Sequence, residues 1–205
     1  MLGKLIIIEG IDGSGTTTQS KLLFKYLKAN KINSILTKEP FNKYLVNLIK
    51  KNKEPIIDLF LFLADRSIQY SKVRQWLKEG KWIVSDRSFP STLVYQWYLN
   101  EKLKKLINKN LIIKLNNLSQ FNIQPDMVIV LDINPQVAIK RLKNKIKKSK
   151  ISKFEKLSLL KNLSQGYLFF AKKLNWNVID GNLSINEVHK NICQKIINKF
   201  NLKIK

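Results

Sequence analysis

Gly10-Ile11-Asp12-Gly13-Ser14-Gly15-Thr16-Thr17 stands between an apolar run and the start of a helical pattern. It has the frame G-x-x-x-x-G-K-[ST] of a phosphate-binding loop, with Thr16 where the lysine belongs. Upstream, Leu5-Ile6-Ile7-Ile8 is short, unbroken and mostly β-branched, as suits a strand buried on both faces of a parallel sheet. Gly10, Gly13 and Gly15 let several backbone N–H groups point into one cavity. Thr16, Thr17 and Thr18 then open a helix whose apolar face is Leu22, Leu23, Tyr26 and Leu27. The N-terminus of such a helix favours an anion, and the Thr17 hydroxyl stands at the usual Mg²⁺ position. The segment from Gly10 to Thr18, including Ile11, Asp12 and Ser14, is therefore expected to hold a nucleotide's phosphates.

Working outward, strands and helices alternate. A strand is expected at Ser34–Thr37, and a long helix from about Ile56 to Glu79, with apolar positions Leu59, Phe60, Phe62, Leu63 and Leu77. Trp82–Val84 reads as a strand ending in Asp86, followed by helices near Ser91–Lys104 and Leu111–Phe121. Met127–Leu131 reads as a strand, then helices near Pro135–Lys145 and Phe154–Leu174, strand Asn177–Ile179 and a closing helix. This alternation predicts an α/β fold: a doubly wound, parallel, five-stranded sheet flanked by helices, with ligands at the carboxyl ends of the strands. No linker, repeat or second domain is visible, and one domain over residues 1–205 is expected. Glu9, Lys38-Glu39-Pro40, Asp86-Arg87, Asp132 and Asp180 all fall at strand ends and converge on one rim. Asp86 there suits a Mg²⁺ ion or the loop, and Arg87 a second phosphate.

Composition narrows the class. The chain has 205 residues, no membrane-length apolar segment and no signal-peptide pattern. Cys193 is the only cysteine, so no intrachain disulfide forms. His189, the only histidine, reads as a solvated surface residue. A cytoplasmic location is expected. The net charge of +24 would attract polyanions at low salt, but its lysines are spread along the chain among many Asn and Ile, like a compositional drift. Arg66, Arg74, Arg87 and Arg141 are the only arginines among 38 basic residues, and each invites a specific explanation.

Glu9-Gly10-Ile11-Asp12-Gly13-Ser14-Gly15, Lys38-Glu39-Pro40, Phe62-Leu63-Ala64-Asp65-Arg66, Asp86-Arg87 with Ser91 and Tyr95-Gln96, Pro125-Asp126 and Val178-Ile179-Asp180 occur in that order. Over about residues 4–200 the chain thereby resembles the thymidylate kinases. The resemblance implies phosphorylation of dTMP to dTDP by ATP and Mg²⁺, with Thr17 and Asp86 at the metal, in a homodimer without a specific nucleic acid or membrane partner. It implies that Phe62 stacks on thymine, Arg66 hydrogen-bonds the base, and Arg87 holds the acceptor phosphate beside Glu39, Pro40 and Phe41. Ser91 or Thr92 would face the thymine edge, Tyr95 would sit under the deoxyribose, Gln96 would also bind the substrate, and Asp12 would approach the 3′-OH and acceptor phosphate. Members of this family place an extra arginine in the loop or in a lid. Gly13 holds that loop position here, which shifts the expectation to a lid at about 141–155, with Arg141 and Lys153 catalytic. Its densely basic composition also fits a solvated helix.

Three departures from the family pattern stand out. Thr16 removes the lysine of the β- and γ-phosphates, a loss on the order of 10²–10³ in rate if nothing replaces it; a lysine among Lys143–Lys153, or Lys21, is expected to do so. Trp97-Tyr98 follows Tyr95-Gln96 in place of a Gly-rich continuation, and Phe41-Asn42 replaces a glycine pair. Competing readings are another nucleoside monophosphate kinase, a catalytically weak nucleotide-binding homologue, and a basic nucleic-acid-binding module.

Overall fold

The computed structural model describes residues 3–51, 54–142 and 153–202. Five parallel strands form one sheet in the order β2-β3-β1-β4-β5: β1 Lys4–Gly10, β2 Ser34–Lys38, β3 Trp82–Asp86, β4 Met127–Asp132 and β5 Asn177–Asp180. The expected doubly wound α/β architecture is present. β1 is central because both its faces are apolar: Leu5 and Ile7 face one core, Ile6 and Ile8 the other, and all four are buried. Helices α1 (Thr16–Ala29) and α9 (Ile185–Phe200) cover the second face through Leu23, Leu27, Val188, Ile192 and Ile196. Helices α3 (Pro55–Lys78), α6 (Lys109–Ser119), α7 (Pro135–Arg141) and α8 (Lys153–Leu174) cover the first.

Several boundaries differ from expectation for local reasons. A short helix α2, Lys43–Lys51, was not foreseen. The helix expected at Ser91–Lys104 is three pieces: a turn α4 (Phe89–Ser91), a π-helix (Thr92–Tyr98) and α5 (Glu101–Leu106). The chain breaks at Leu99-Asn100 because the Asn100 side chain accepts from Leu103 N–H and caps a new helix. Phe60, expected on the apolar face of α3, is exposed, whereas Leu59 and Leu63 enter the core. His189 is half-buried rather than solvated: its ring meets Tyr26 edge-on, with Nε2 3.5 Å from Cys193 Sγ. Of the expected lid at 141–155, residues 143–152 lie outside the described residues, as does the Lys153 side chain.

Trp97 and Tyr98 act as anchors for α8. The Trp97 indole donates to Ile107 O at 2.7 Å, and both rings pack on Phe170. Gly166 permits the approach, since a Cβ there would lie 2.8 Å from Tyr98 Cδ1 and 2.9 Å from Val94 Cγ1.

Candidate active site

The loop Gly10–Gly15 leaves β1 at the centre of the sheet, flanked by β3 and β4, where open α/β sheets bind ligands. Gly15 caps α1 with φ 98°, without any side-chain cap or acidic residue in the first turn. The first-turn N–H groups, which have no intrahelical partner, are thus left for an anion. Gly13 has φ 88°, and a Cβ on it would lie 2.7 Å from Ala138 O of α7. That carbonyl explains why the loop carries no side chain there, and so no arginine. Thr16 is buried, as is Ser14, whose hydroxyl has no partner among the described residues.

The Thr17 hydroxyl donates to Asp86 Oδ2 at 2.6 Å, while Asp86 Oδ1 is buried with no partner among the described residues. One carboxylate oxygen and one hydroxyl are the protein share expected of a Mg²⁺ ion that also binds phosphate oxygens and water. The residues present fit that ion. Among the described residues no cluster of three or more His, Cys, Asp or Glu side chains forms an all-protein metal cage. Lys21 and Lys38 line a cleft of about 260 Å³ with Thr17 and Asp86.

A second cavity, of about 350 Å³, is lined by Asp12, Glu39, Pro40, Asp58, Phe62, Arg87, Ser91, Thr92, Tyr95 and Gln96. Elements far apart in sequence build it. Arg87 takes a left-handed backbone, φ 71°, an uncommon conformation for a non-glycine residue. It is held by Arg87 N–H to Ile8 O at 3.0 Å and by the Ser85 hydroxyl donating to Arg87 O at 2.7 Å. Arg87 Nη2 donates to Asp12 Oδ1 at 2.8 Å, and its guanidinium carbon lies 5.3 Å from the Tyr95 ring centroid. Burial works against the Arg87 charge, but Tyr95, Tyr167, Glu9 and Asp12 more than offset it and hold the pKa above the ordinary arginine range. The π-helix presents Thr92, Tyr95 and Gln96; among the described residues the Gln96 amide has no partner on either atom.

Arg66 and Phe41 are the two expected substrate residues that do not line this cavity. Arg66 is fully buried and engages Glu39 through Nε and Nη2, Thr92 through Nη2 and Asn116 through Nη1. It reaches the cavity through Glu39 and Thr92. Phe41 N–H and Asn42 N–H both donate to Asp65 at 2.6 Å, so a buried carboxylate shapes the turn where the family pattern has glycines. Arg74 lies 5.1 Å over the Phe121 ring, and Arg141 Nη1 donates to Gly181 O at 3.1 Å, away from the cavity lining. Tyr167, Asp58 and Asn116 are not singled out by the sequence, and Asp65 stands in a motif without a role of its own. For Tyr167 a signal existed: it shares a helical stripe with Leu160, Leu163 and Phe170, and a buried tyrosine hydroxyl requires a partner.

The family model described as thymidylate kinase matches residues 8–192. A relative named probable thymidylate kinase 1, from Saccharolobus solfataricus, is 39% identical over 201 residues, covering 96% of this chain and 97% of its own length. One named thymidylate kinase, from Prochlorococcus marinus strain AS9601, is 35% identical over 217 residues, with 98% of each chain covered. One named probable thymidylate kinase, from Thermococcus onnurineus, is 33% identical, with 91% of this chain and 94% of its own length covered.

Proposed function

The chain belongs to the thymidylate kinase family, and from that premise we propose that it transfers the γ-phosphoryl group of ATP to dTMP, giving dTDP and ADP. The observation that carries this reading is the ion pair between Asp12 of the phosphate loop and Arg87 of the cavity, at 2.8 Å, which joins the two halves in one site. The acceptor phosphate is already an anionic nucleophile, so positioning and charge neutralisation matter more than a strong base. Arg87 receives that phosphate in place of Asp12. Phe62 offers its ring to the pyrimidine and Tyr95 packs under the sugar. Thr92 Oγ1 accepts from Arg66 at 2.6 Å, which leaves its own proton for an acceptor such as the O4 keto oxygen of thymine. Cytosine presents an amino donor at that position. Thr17 and Asp86 would hold Mg²⁺, which would supply neutralisation of the phosphate charge when bound. With Thr16 in the lysine position, Lys21, Lys38 or a lysine among 143–153 supplies the remaining cationic charge.

The proposal extends to a cytoplasmic homodimer. No helix among the described residues is long and apolar enough to cross a membrane. Ile57, Phe60 and Ile68 of α3 and Leu111 and Leu118 of α6 are exposed, as suits a helix face that meets a second copy. The test of function is ADP release with ATP and Mg²⁺ against dTMP, dUMP, CMP and AMP in turn. Fastest turnover is expected with dTMP; equal or faster turnover with CMP or AMP overturns the base assignment.

A further inference from the structure

Behind Arg87 lies a buried carboxylate that lines neither cavity. Glu9, near the end of β1, is fully buried. Its Oε1 accepts from Ser88 N–H at 2.7 Å, and its Oε2 from the Ser91 hydroxyl at 2.8 Å and the Tyr167 hydroxyl at 2.9 Å. The same two hydroxyls accept from Arg87, whose Nη1 is 3.2 Å from each. Glu9 Oε2 itself is 4.0 Å from Nη1, beyond direct hydrogen bonding. The carboxylate therefore acts on the guanidinium through two hydroxyls.

The protons can be counted. Each hydroxyl has one proton and two lone pairs, and Nη1 carries two N–H groups. With Glu9 ionised, each hydroxyl gives its proton to Oε2 and a lone pair to Arg87, so every donor has an acceptor. With Glu9 protonated, Oε1 still faces the Ser88 N–H, which puts the acid proton on Oε2. One hydroxyl then accepts from both Oε2–H and Nη1 and turns its own proton to the other hydroxyl, 3.1 Å away, so the hydrogen bonds persist while the negative charge 4.0 Å from Nη1 is gone.

We propose that Glu9 and Tyr167 are positioning residues for Arg87: they hold its Nη1 edge so that the Nη2 edge is presented to the monophosphate. This rests on the reading that Arg87 receives the acceptor phosphate. Tyr167 is set by its neighbour Gly166, which lets α8 close against Val94 and Tyr98 of the π-helix. The charged and titratable groups around the pair are Arg87 itself, Asp12 of the loop, Glu39 beyond β2, Tyr95 of the π-helix and Tyr167 of α8. Burial pushes Glu9 up to about 7 against the opposing pull of Arg87 and its hydrogen bonds. Burial also raises both tyrosines, Tyr95 to about 12, so they keep their protons. Glu39, also raised by burial, is engaged by Arg66.

The experiment compares wild type with Tyr167→Phe and Glu9→Gln, measuring dTMP binding by calorimetry and steady-state rates from about pH 6 to 8.5. Tyr167→Phe removes one acceptor and is expected to raise the dTMP Kd and KM about tenfold, the scale of one hydrogen bond to a charged group. The KM for ATP stays within about twofold, a split that general loosening of the fold would not give. Glu9→Gln mimics the protonated acid at every pH, so dTMP binding is weak throughout. Its residual pH response belongs to the ligand phosphate, whose second pKa is about 6. Wild type loses affinity below about pH 7 more steeply than this variant. The inference is overturned if both variants bind dTMP within about twofold of wild type with its pH response, and either variant alone decides if the other does not fold. A wild type that neither binds nor phosphorylates dTMP overturns the functional reading as well.

Discussion

On the donor side of the site, recognition is built from backbone: a glycine-capped helix start, a loop whose Gly13 has no room for a side chain, and one hydroxyl–carboxylate contact between Thr17 and Asp86. On the acceptor side it is built from buried side chains. Arg66, Glu39, Thr92 and Asn116 form one network, and Glu9, Ser91, Tyr167 and Arg87 a second. The difference teaches where each half is vulnerable. A backbone cradle keeps its shape when one side chain changes, which is how the loop retains its form with threonine in place of lysine. A buried polar network fails when a single member is removed, because the partner is left desolvated and unpaired.

The largest effect should come from breaking the acceptor network at its most buried point. Arg66→Met strands Glu39 and is expected to cost about 3–5 kcal/mol of stability, read as a fall in thermal midpoint together with weaker dTMP binding. A fall below about 1 kcal/mol would show the network to be less coupled than its geometry. Next, Arg87→Ala should lower kcat/KM for dTMP by about 10²–10³, as for the loss of one preorganised charge donor. ATP affinity, measured separately, should change little, because the donor cradle is built from backbone and Arg87 meets the loop only through the exposed Asp12 side chain.

Glu9→Gln separates stability from activity. The carboxyl is raised from 4.5 to about 7 by burial, so its contribution is fully present below about pH 4.5 and is lost as pH rises through 7. At pH 8 the wild type then carries a buried charge at a cost on the order of 3 kcal/mol. The variant should therefore gain thermal stability at pH 8 and little at pH 4.5, while binding dTMP less well. Thermal scans at the two pH values check this; a gain of equal size at both would contradict it. The smallest effect is expected on the donor side: Thr16→Lys should raise kcat by no more than about tenfold, if another lysine already supplies the charge. A rise of about 10²–10³ would show that nothing replaces it.

The same contrast governs what the sequence reveals. Glycine spacing after an apolar strand is a local signal, so the loop, its helix and the parallel α/β alternation around them can be read directly, whereas the strand order comes from the structure. Most of the cavity lining is legible too, through ordered motifs from Glu39 to Gln96. The networks behind it are not, because they join residues distant along the chain, as Glu9 and Tyr167 are, 158 positions apart. Arg66 shows the limit of reading by residue type. A rare arginine in a lysine-rich chain suggests ligand contact, yet nearly all its donors serve Glu39, Thr92 and Asn116. The break at Leu99-Asn100 escaped for a similar reason, since an asparagine cap inside an apolar pattern is decided by which neighbours it meets.

The most direct test follows labelled phosphorus from [γ-³²P]ATP through a single turnover with Mg²⁺ and dTMP, in wild type and in Arg87→Ala. The label should appear in dTDP with wild type, and in Arg87→Ala far more slowly while ATP still binds. Label that stays in ATP or passes only to water in the wild type, with both nucleotides bound, would contradict it.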